Sequence, residues 1–188
     1  MNHSADSLFR HRIELIPNCG HSIDYSLTTP WLKNYKRNPY PHTFLWEDYP
    51  MDGQRRQGFY NLYVMKRPKA ADGLKDASGE DRDYYEMDIQ DNVIRLSVKK
   101  VTYQTLERDP VYGIDLKFTK SYHPVIGGKW KIYLNDQLVD MNRPVTVFIN
   151  DRKAFEGKLV PRMEDMITSC MEYFDPCRVF PASVDVAL

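Results

Sequence analysis

A chain of 188 residues, 42% hydrophobic and 28% charged, can bury a normal core, so disorder is not the default. Its 26 basic and 26 acidic side chains cancel to a formal charge of +0. That removes the electrostatic case for nucleic acid or an anionic membrane as main partner, since both need a basic surplus.

In chain order, Asp6 to Arg12 fit the end of a helix, with Leu8 and Phe9 as apolar contacts. Ile13, Leu15 and Ile16 read as a short strand stopped by Pro17 and Asn18, and Cys19-Gly20-His21 follows as a loop. Thr29 is placed as the N-cap of a short helix, with Pro30 in its first turn and Trp31, Leu32 and Tyr35 on its apolar face. Lys33, Lys36 and Arg37 are read as its solvated end. Asn38-Pro39-Tyr40-Pro41 then forms a stiff linker, which divides the chain into residues 1–41 and 42–188.

Beyond about residue 43 the period becomes two, the mark of half-buried strands. Phe44 and Trp46 alternate with Thr43 and Leu45, and Phe59 to Met65 is rich in aromatic and β-branched residues. A polar stretch from Lys66 to Arg82 intervenes. Tyr85, Met87 and Ile89 then alternate with polar neighbours up to a turn at Asp91-Asn92. The same alternation places Ile94, Leu96 and Val98 inward, then Ile114, Leu116 and Phe118, then Trp130, Ile132 and Leu134. Val145, Val147 and Ile149 run into Asn150-Asp151-Arg152, and the chain returns through Ala154 to Val160 as a hairpin.

From Met163 the pattern changes to i, i+3, i+4, i+7, i+8, i+11. Met163, Met166, Ile167, Cys170, Met171 and Phe174 thus share one face of a helix closed by Asp175-Pro176. A last strand carries Phe180, Ala182, Val184, Val186 and Leu188 inward. The fold class is therefore mainly β: an antiparallel sandwich-like domain with one C-terminal amphipathic helix.

No G-x-S-x-G elbow, Walker loop, H-E-x-x-H or G-x-G-x-x-G occurs. The histidines His3, His11, His21, His42 and His123 lack paired ligand spacing, so neither a metal nor a cofactor is expected. Among Cys19, Cys170 and Cys177 two free, buried thiols are expected, with a Cys170–Cys177 pair left open. No apolar run is long enough for a membrane span, and MNHSADSLFRHR has no apolar core of a secretory signal. His21 follows a short strand and precedes a helix. That placement suits the histidine of a Ser-Asp-His triad as well as a plain loop residue.

CGHSIDYSLTTPWLKNYKRNPYP, Cys19 to Pro41, resembles the end of the catalytic domain in bacterial α/β-hydrolase-fold proteins. These are the peptidase-like or esterase-like relatives of dienelactone hydrolases and prolyl oligopeptidases. Tyr133 to Val186 is similar to the β domain appended to such proteins. There the pattern D-x-x-x-P-V-x-V-x-x-N falls on Asp140, Pro144, Val145, Val147 and Asn150. D-P-x-x-x-F-P-A falls on Asp175, Pro176, Phe180, Pro181 and Ala182. The likeness covers most of residues 12–65 and 90–188.

The resemblance implies that residues 1–41 are a strand–loop–helix remnant of the hydrolase domain, with His21 as an orphan triad base. Serine and acid would lie upstream of Met1, and Asp24 does not substitute for the acid. The expected function is an accessory β domain that packs on a catalytic domain or on a second copy of itself, and that is not catalytically competent alone. Ile13, Leu15, Trp31 and Leu32 supply apolar surface for such contacts. The compartment stays open, a periplasmic or secreted parent included. The alternative is a binding module for carbohydrate or a hydrophobic ligand, using Tyr40, Tyr49, Tyr84, Tyr85, Tyr103, Tyr112 and Tyr122 near strand ends and loops.

Overall fold

Successive strand side chains point to opposite faces, so the alternation from Thr43 onward fixes which residues line a common surface. The computed structural model describes residues 25–51, 53–73 and 82–188. The chain divides into two compact units, Met1–Arg37 and Asn38–Leu188. The described part of the first holds one short helix, α1 (Thr28–Lys33), with Leu27 as its N-cap in place of the expected Thr29. No α1 residue is buried; Trp31 and Tyr35 pack on one another with ring centroids 4.9 Å apart. The expected strand at Ile13–Ile16 and His21 lie outside the described residues.

The second unit is mainly β. Its strands are β1 (Thr43–Asp48), β2 (Gly58–Phe59), β3 (Leu62–Lys66), β4 (Lys69–Ala70), β5 (Arg82–Gln90) and β6 (Val93–Arg108). There follow β7 (Asp115–His123), β8 (Val125–Ile126), β9 (Lys129–Leu134), β10 (Val145–Ile149) and β11 (Arg152–Gly157). Helix α2 (Met163–Tyr173) and β12 (Ala182–Ala187) close the chain. One sheet has the order β1-β5-β6-β10-β11, with β7 also paired to β6; the other has the order β12-β9-β3-β2. β4 and β8 form a separate two-stranded ribbon. Among the described residues the strand pairings are antiparallel, as expected of the sandwich, apart from β6 with β10, which is parallel.

The core lies between the two larger sheets, as in a sandwich. From the first come Phe44, Trp46, Tyr85, Met87, Ile94, Leu96, Val145 and Val147; from the second, Leu62, Trp130, Ile132, Leu134, Val184 and Val186. Each such side chain contributes roughly 1.5–3 kcal/mol by leaving water. Gly128, at φ +104°, is required where it stands, because any Cβ there would run into the Trp130 ring.

One end of the inward face is closed by charge. Cross-strand register sets Asp48 beside Asp83 and Asp83 beside Lys100, and all three are buried. Lys100 Nζ is 2.7 Å from Asp83 Oδ1, and Arg67 donates to both carboxylates, at 3.0 Å to Asp83. Burial pushes the Asp48 carboxyl up, against the pull of Arg67. A buried carboxylate pair is tolerated only because cations neutralise it.

Asn150 of the C-terminal motif holds a strand end, and Asn92 holds the loop that begins at Asp140. Asn150 and Asp151, at φ 47° and 64°, make the hairpin turn between β10 and β11. The Asn150 carboxamide then pairs with β6 as a strand would: it accepts from Val98 N at 2.7 Å and donates to Val98 O at 3.0 Å. Asn92 does likewise for the preceding loop, donating to Asp140 O and Pro144 O and accepting from Asp140 N.

The aromatic and β-branched run Phe59 to Met65 is divided between β2 and β3 by a turn at Tyr60 with φ 50°. Three expectations are corrected. Tyr133, expected outward, is buried, stacked on Phe180 at 5.6 Å beside Tyr173 of α2. Ile114, Leu116 and Phe118, expected inward, are 60%, 53% and 56% exposed. They lie on the outer half of the β6–β7 ribbon, which runs past the end of β5 and so has no second sheet beneath it. Finally, Cys170 and Cys177 are free but exposed rather than buried.

Candidate functional site

Helix α2 is turned the opposite way from the amphipathic expectation. Its buried residues are Asp165 and Ser169. Asp165 accepts from Ser183 Oγ at 2.7 Å and from Arg162 Nε at 3.1 Å. Ser169 Oγ accepts from Phe180 N at 3.0 Å and donates to Asp165 O at 2.7 Å. Glu172 accepts from the Tyr133 hydroxyl at 2.6 Å. With this polar stripe held by β12 and β9, Met163, Ile167, Met171 and Phe174 stand 53–90% exposed, and Met166 and Cys170 are exposed beside them. Six residues of one helix face, nearly all apolar, thus form a continuous outward patch.

The β6–β7 ribbon adds a second apolar surface. Leu106 and Leu116 are skipped by the ladder at two register shifts, and both are exposed. Val111 and Tyr112, at 76% and 78% exposed, cap its tip.

The seven tyrosines expected near strand ends separate into distinct fates. Tyr85 is fully buried in the core, which corrects its placement as a surface residue. Tyr40 packs edge-on against Phe180, and Tyr112 stands at the ribbon tip. Tyr49, Tyr84, Tyr103 and Tyr122 gather on the open face of the six-stranded sheet around Glu47. Glu47 accepts from Tyr103 at 2.6 Å, from Arg82 at 3.2 Å and from Lys120 at 2.5 Å. Arg82 lies 4.7 Å from the Tyr49 ring centre and 4.4 Å from that of Tyr103. Lys120 stands 5.2–5.6 Å from the rings of Tyr84, Tyr103 and Tyr122.

The electrostatics of this face are internally satisfied. Burial opposes ionisation of Glu47, but hydrogen bonds from Lys120, Tyr103 and Arg82 outweigh it and hold the carboxyl below its usual range. Burial likewise opposes the charge on Lys120, yet its bond to Glu47 keeps the ammonium protonated more firmly than usual. Tyr49 and Tyr122 remain 40% and 49% exposed, so they can stack on a flat ligand with charged donors at the rim. Sequence reasoning missed Glu47, Arg82 and Lys120. They alternate outward on β1, β5 and β7, and only cross-strand register brings them together.

Neither surface carries a nucleophile–base pair among the described residues. No group of three or more His, Cys, Asp and Glu side chains among them could hold a metal ion. His123 is the nearest to a charge-relay arrangement, with Thr102 Oγ1 2.9 Å from Nε2 and Asp72 2.9 Å from Nδ1. His21 lies outside the described residues. Among the described residues no helix is long and apolar enough to cross a membrane. Comparison with protein-family models, curated proteins and solved structures finds no match.

Proposed function

We propose that this chain is the accessory β domain of an α/β-hydrolase-like peptidase or esterase, docking on its catalytic domain and performing no acyl transfer alone. The observation that carries this is the outward apolar face of α2, from Met163 to Phe174. Monomeric surfaces rarely leave so much apolar area contiguous, and a packed protein partner is what such a patch suits. The sequence likeness at Cys19–Pro41 and Tyr133–Val186 supplies the class of partner.

The test is calorimetric titration against the α/β-hydrolase catalytic domain, comparing the native chain with Ile167→Asp and Phe174→Asp. Binding should weaken at least a hundredfold with melting temperature unchanged. Equal binding by all three proteins sinks the proposal, as does esterase activity of the chain alone on p-nitrophenyl acetate that disappears in His21→Ala.

A second reading is favoured by the assembly of Tyr49, Tyr84, Tyr103 and Tyr122 on one open face: a binding surface for a flat sugar or hydrophobic ligand. A glycan panel titrated against Tyr49→Ala and Tyr122→Ala separates it from docking through α2.

A further inference from the structure

On the side of the sandwich where β2 forms a sheet edge, a cavity of about 620 Å³ opens between the segment before β2 and the end of α2. Its formation depends on Gly58. A Cβ there would stand 2.6 Å from Cε1 of Tyr173, so glycine alone lets that ring lie flat against the edge strand. The Tyr173 hydroxyl then donates to Leu62 O at 3.2 Å and fixes the ring as one wall.

Three arginines line the cavity, Arg55, Arg56 and Arg178, against a single carboxylate, Glu172. Two of the guanidinium groups are held in place before any ligand arrives. Arg178 lies over the Tyr173 ring at 4.0 Å, is 3.3 Å from Asp175 and donates to Tyr60 O at 3.4 Å. Arg55 is tethered 3.7 Å from Asp83 and 3.9 Å from Asp48. The third differs. Arg56 is exposed and has no carboxylate partner among the described residues. Its backbone is nonetheless fixed, because its carbonyl accepts from Arg67 Nη2 at 3.0 Å and the neighbouring Gln57 O accepts from Val64 N at 2.7 Å.

Guanidinium groups gathered along one cavity offer an anion several charge-assisted donors together. Glu172 is engaged by the Tyr133 hydroxyl at 2.6 Å, and Asp175 and Asp83 hold Arg178 and Arg55, which leaves Arg56 as the cation a ligand would meet first. The cavity falls within the roughly 300–1,000 Å³ of small-molecule sites, which is too large for a bare inorganic ion. Tyr63, bonded to Gln57 Oε1 at 2.9 Å, leaves a polar wall suited to hydroxyl groups.

We infer that this cavity binds a small hydroxylated oxyanion, its phosphate or carboxylate head at Arg56 and Arg178 and its polar body against Gln57 and Tyr63. The site is separate from the α2 docking face and from the tyrosine cluster, so it stands or falls independently of both.

The test is ¹⁵N NMR titration of the full chain with glucose 6-phosphate, glucuronate, inorganic phosphate and glucose, at constant ionic strength. Saturable shifts at Arg56, Gln57, Gly58 and Arg178 are expected with glucose 6-phosphate or glucuronate. Inorganic phosphate should bind more weakly, and glucose should produce no shift. Arg56→Gln should weaken binding at least tenfold, whereas Lys153→Gln on the β10–β11 hairpin should leave it unchanged. Arg56 has no side-chain ion pair among the described residues and is exposed, so Arg56→Gln is expected to leave the fold intact. The inference is overturned if neither organic anion saturates, if glucose matches them, or if Arg56→Gln binds like the native chain.

Discussion

Ser183 donates its hydroxyl to Asp165 at 2.7 Å, and with this bond β12 takes hold of the polar stripe of α2. Asp165 also receives Arg162 at 3.1 Å, and its burial makes each of these contacts costly to lose. The usual rule for a surface helix is thereby inverted. Asp165→Ala should destabilise the fold by about 2–4 kcal/mol, since it removes a buried acceptor and leaves Ser183 and Arg162 without their partner. Ile167→Ser, at a 53% exposed position, should change stability by no more than about 0.5 kcal/mol. Urea denaturation of both variants checks the ranking; an Ile167 variant that costs more than the Asp165 variant would mean the helix packs the other way round.

Asn150 combines a left-handed backbone with a carboxamide that closes the ladder beside Val98. Alanine loses both, so Asn150→Ala should cost about 2–4 kcal/mol. Asn150→Gly restores the backbone freedom without the bonds and should recover about 1 kcal/mol of that loss. Thermal melts of the pair separate turn strain from hydrogen bonding, and equal melting temperatures would assign the whole effect to the carboxamide.

At Gly58 the Tyr173 ring leaves no space for a side chain. Gly58→Ala must displace that ring from its bond to Leu62 O, at a cost of about 1–3 kcal/mol. Combined with Tyr173→Ala, the second substitution should add far less than it does alone. A double-mutant cycle by chemical denaturation reads the coupling, and strictly additive costs would contradict the contact.

Acid stability reports on Glu47. Its carboxyl loses its proton more readily in the folded state, because hydrogen bonds outweigh burial. The stabilisation is therefore fully present above the unfolded glutamate pKa of about 4.3 and is lost as pH falls through the lower folded value. Glu47→Gln should lower stability by about 2 kcal/mol at pH 7, with the gap to the native chain closing below about pH 4. Asp48 and Glu172, whose carboxyls burial pushes up, act with the opposite sign but are common to both proteins. Urea midpoints at pH 7, 5, 4 and 3 measure the gap, and a gap independent of pH would rule out the ionised network.

Much of the architecture was legible in the sequence. Alternation alone placed Trp46, Ile94, Leu96, Trp130, Ile132 and Val184 inward, and all are buried. The Asn150-Asp151 hairpin and the α2 span were legible for the same reason: turn chemistry and the helical period are local properties of the chain.

Periodicity says which residues share a face; it does not say what that face meets. The apolar side of α2 was visible as a stripe, yet Asp165, Ser169 and Glu172 found hydrogen-bond partners on β12, β9 and the approach to β12, and that decided which side turned inward. Ile114, Leu116 and Phe118 alternate as core residues do, but β6 and β7 outrun the sheet opposite, so nothing covers them. The Glu47 cluster and the arginine cavity each draw residues from distant segments. Strand register and sheet stacking, which depend on the whole chain at once, assembled them.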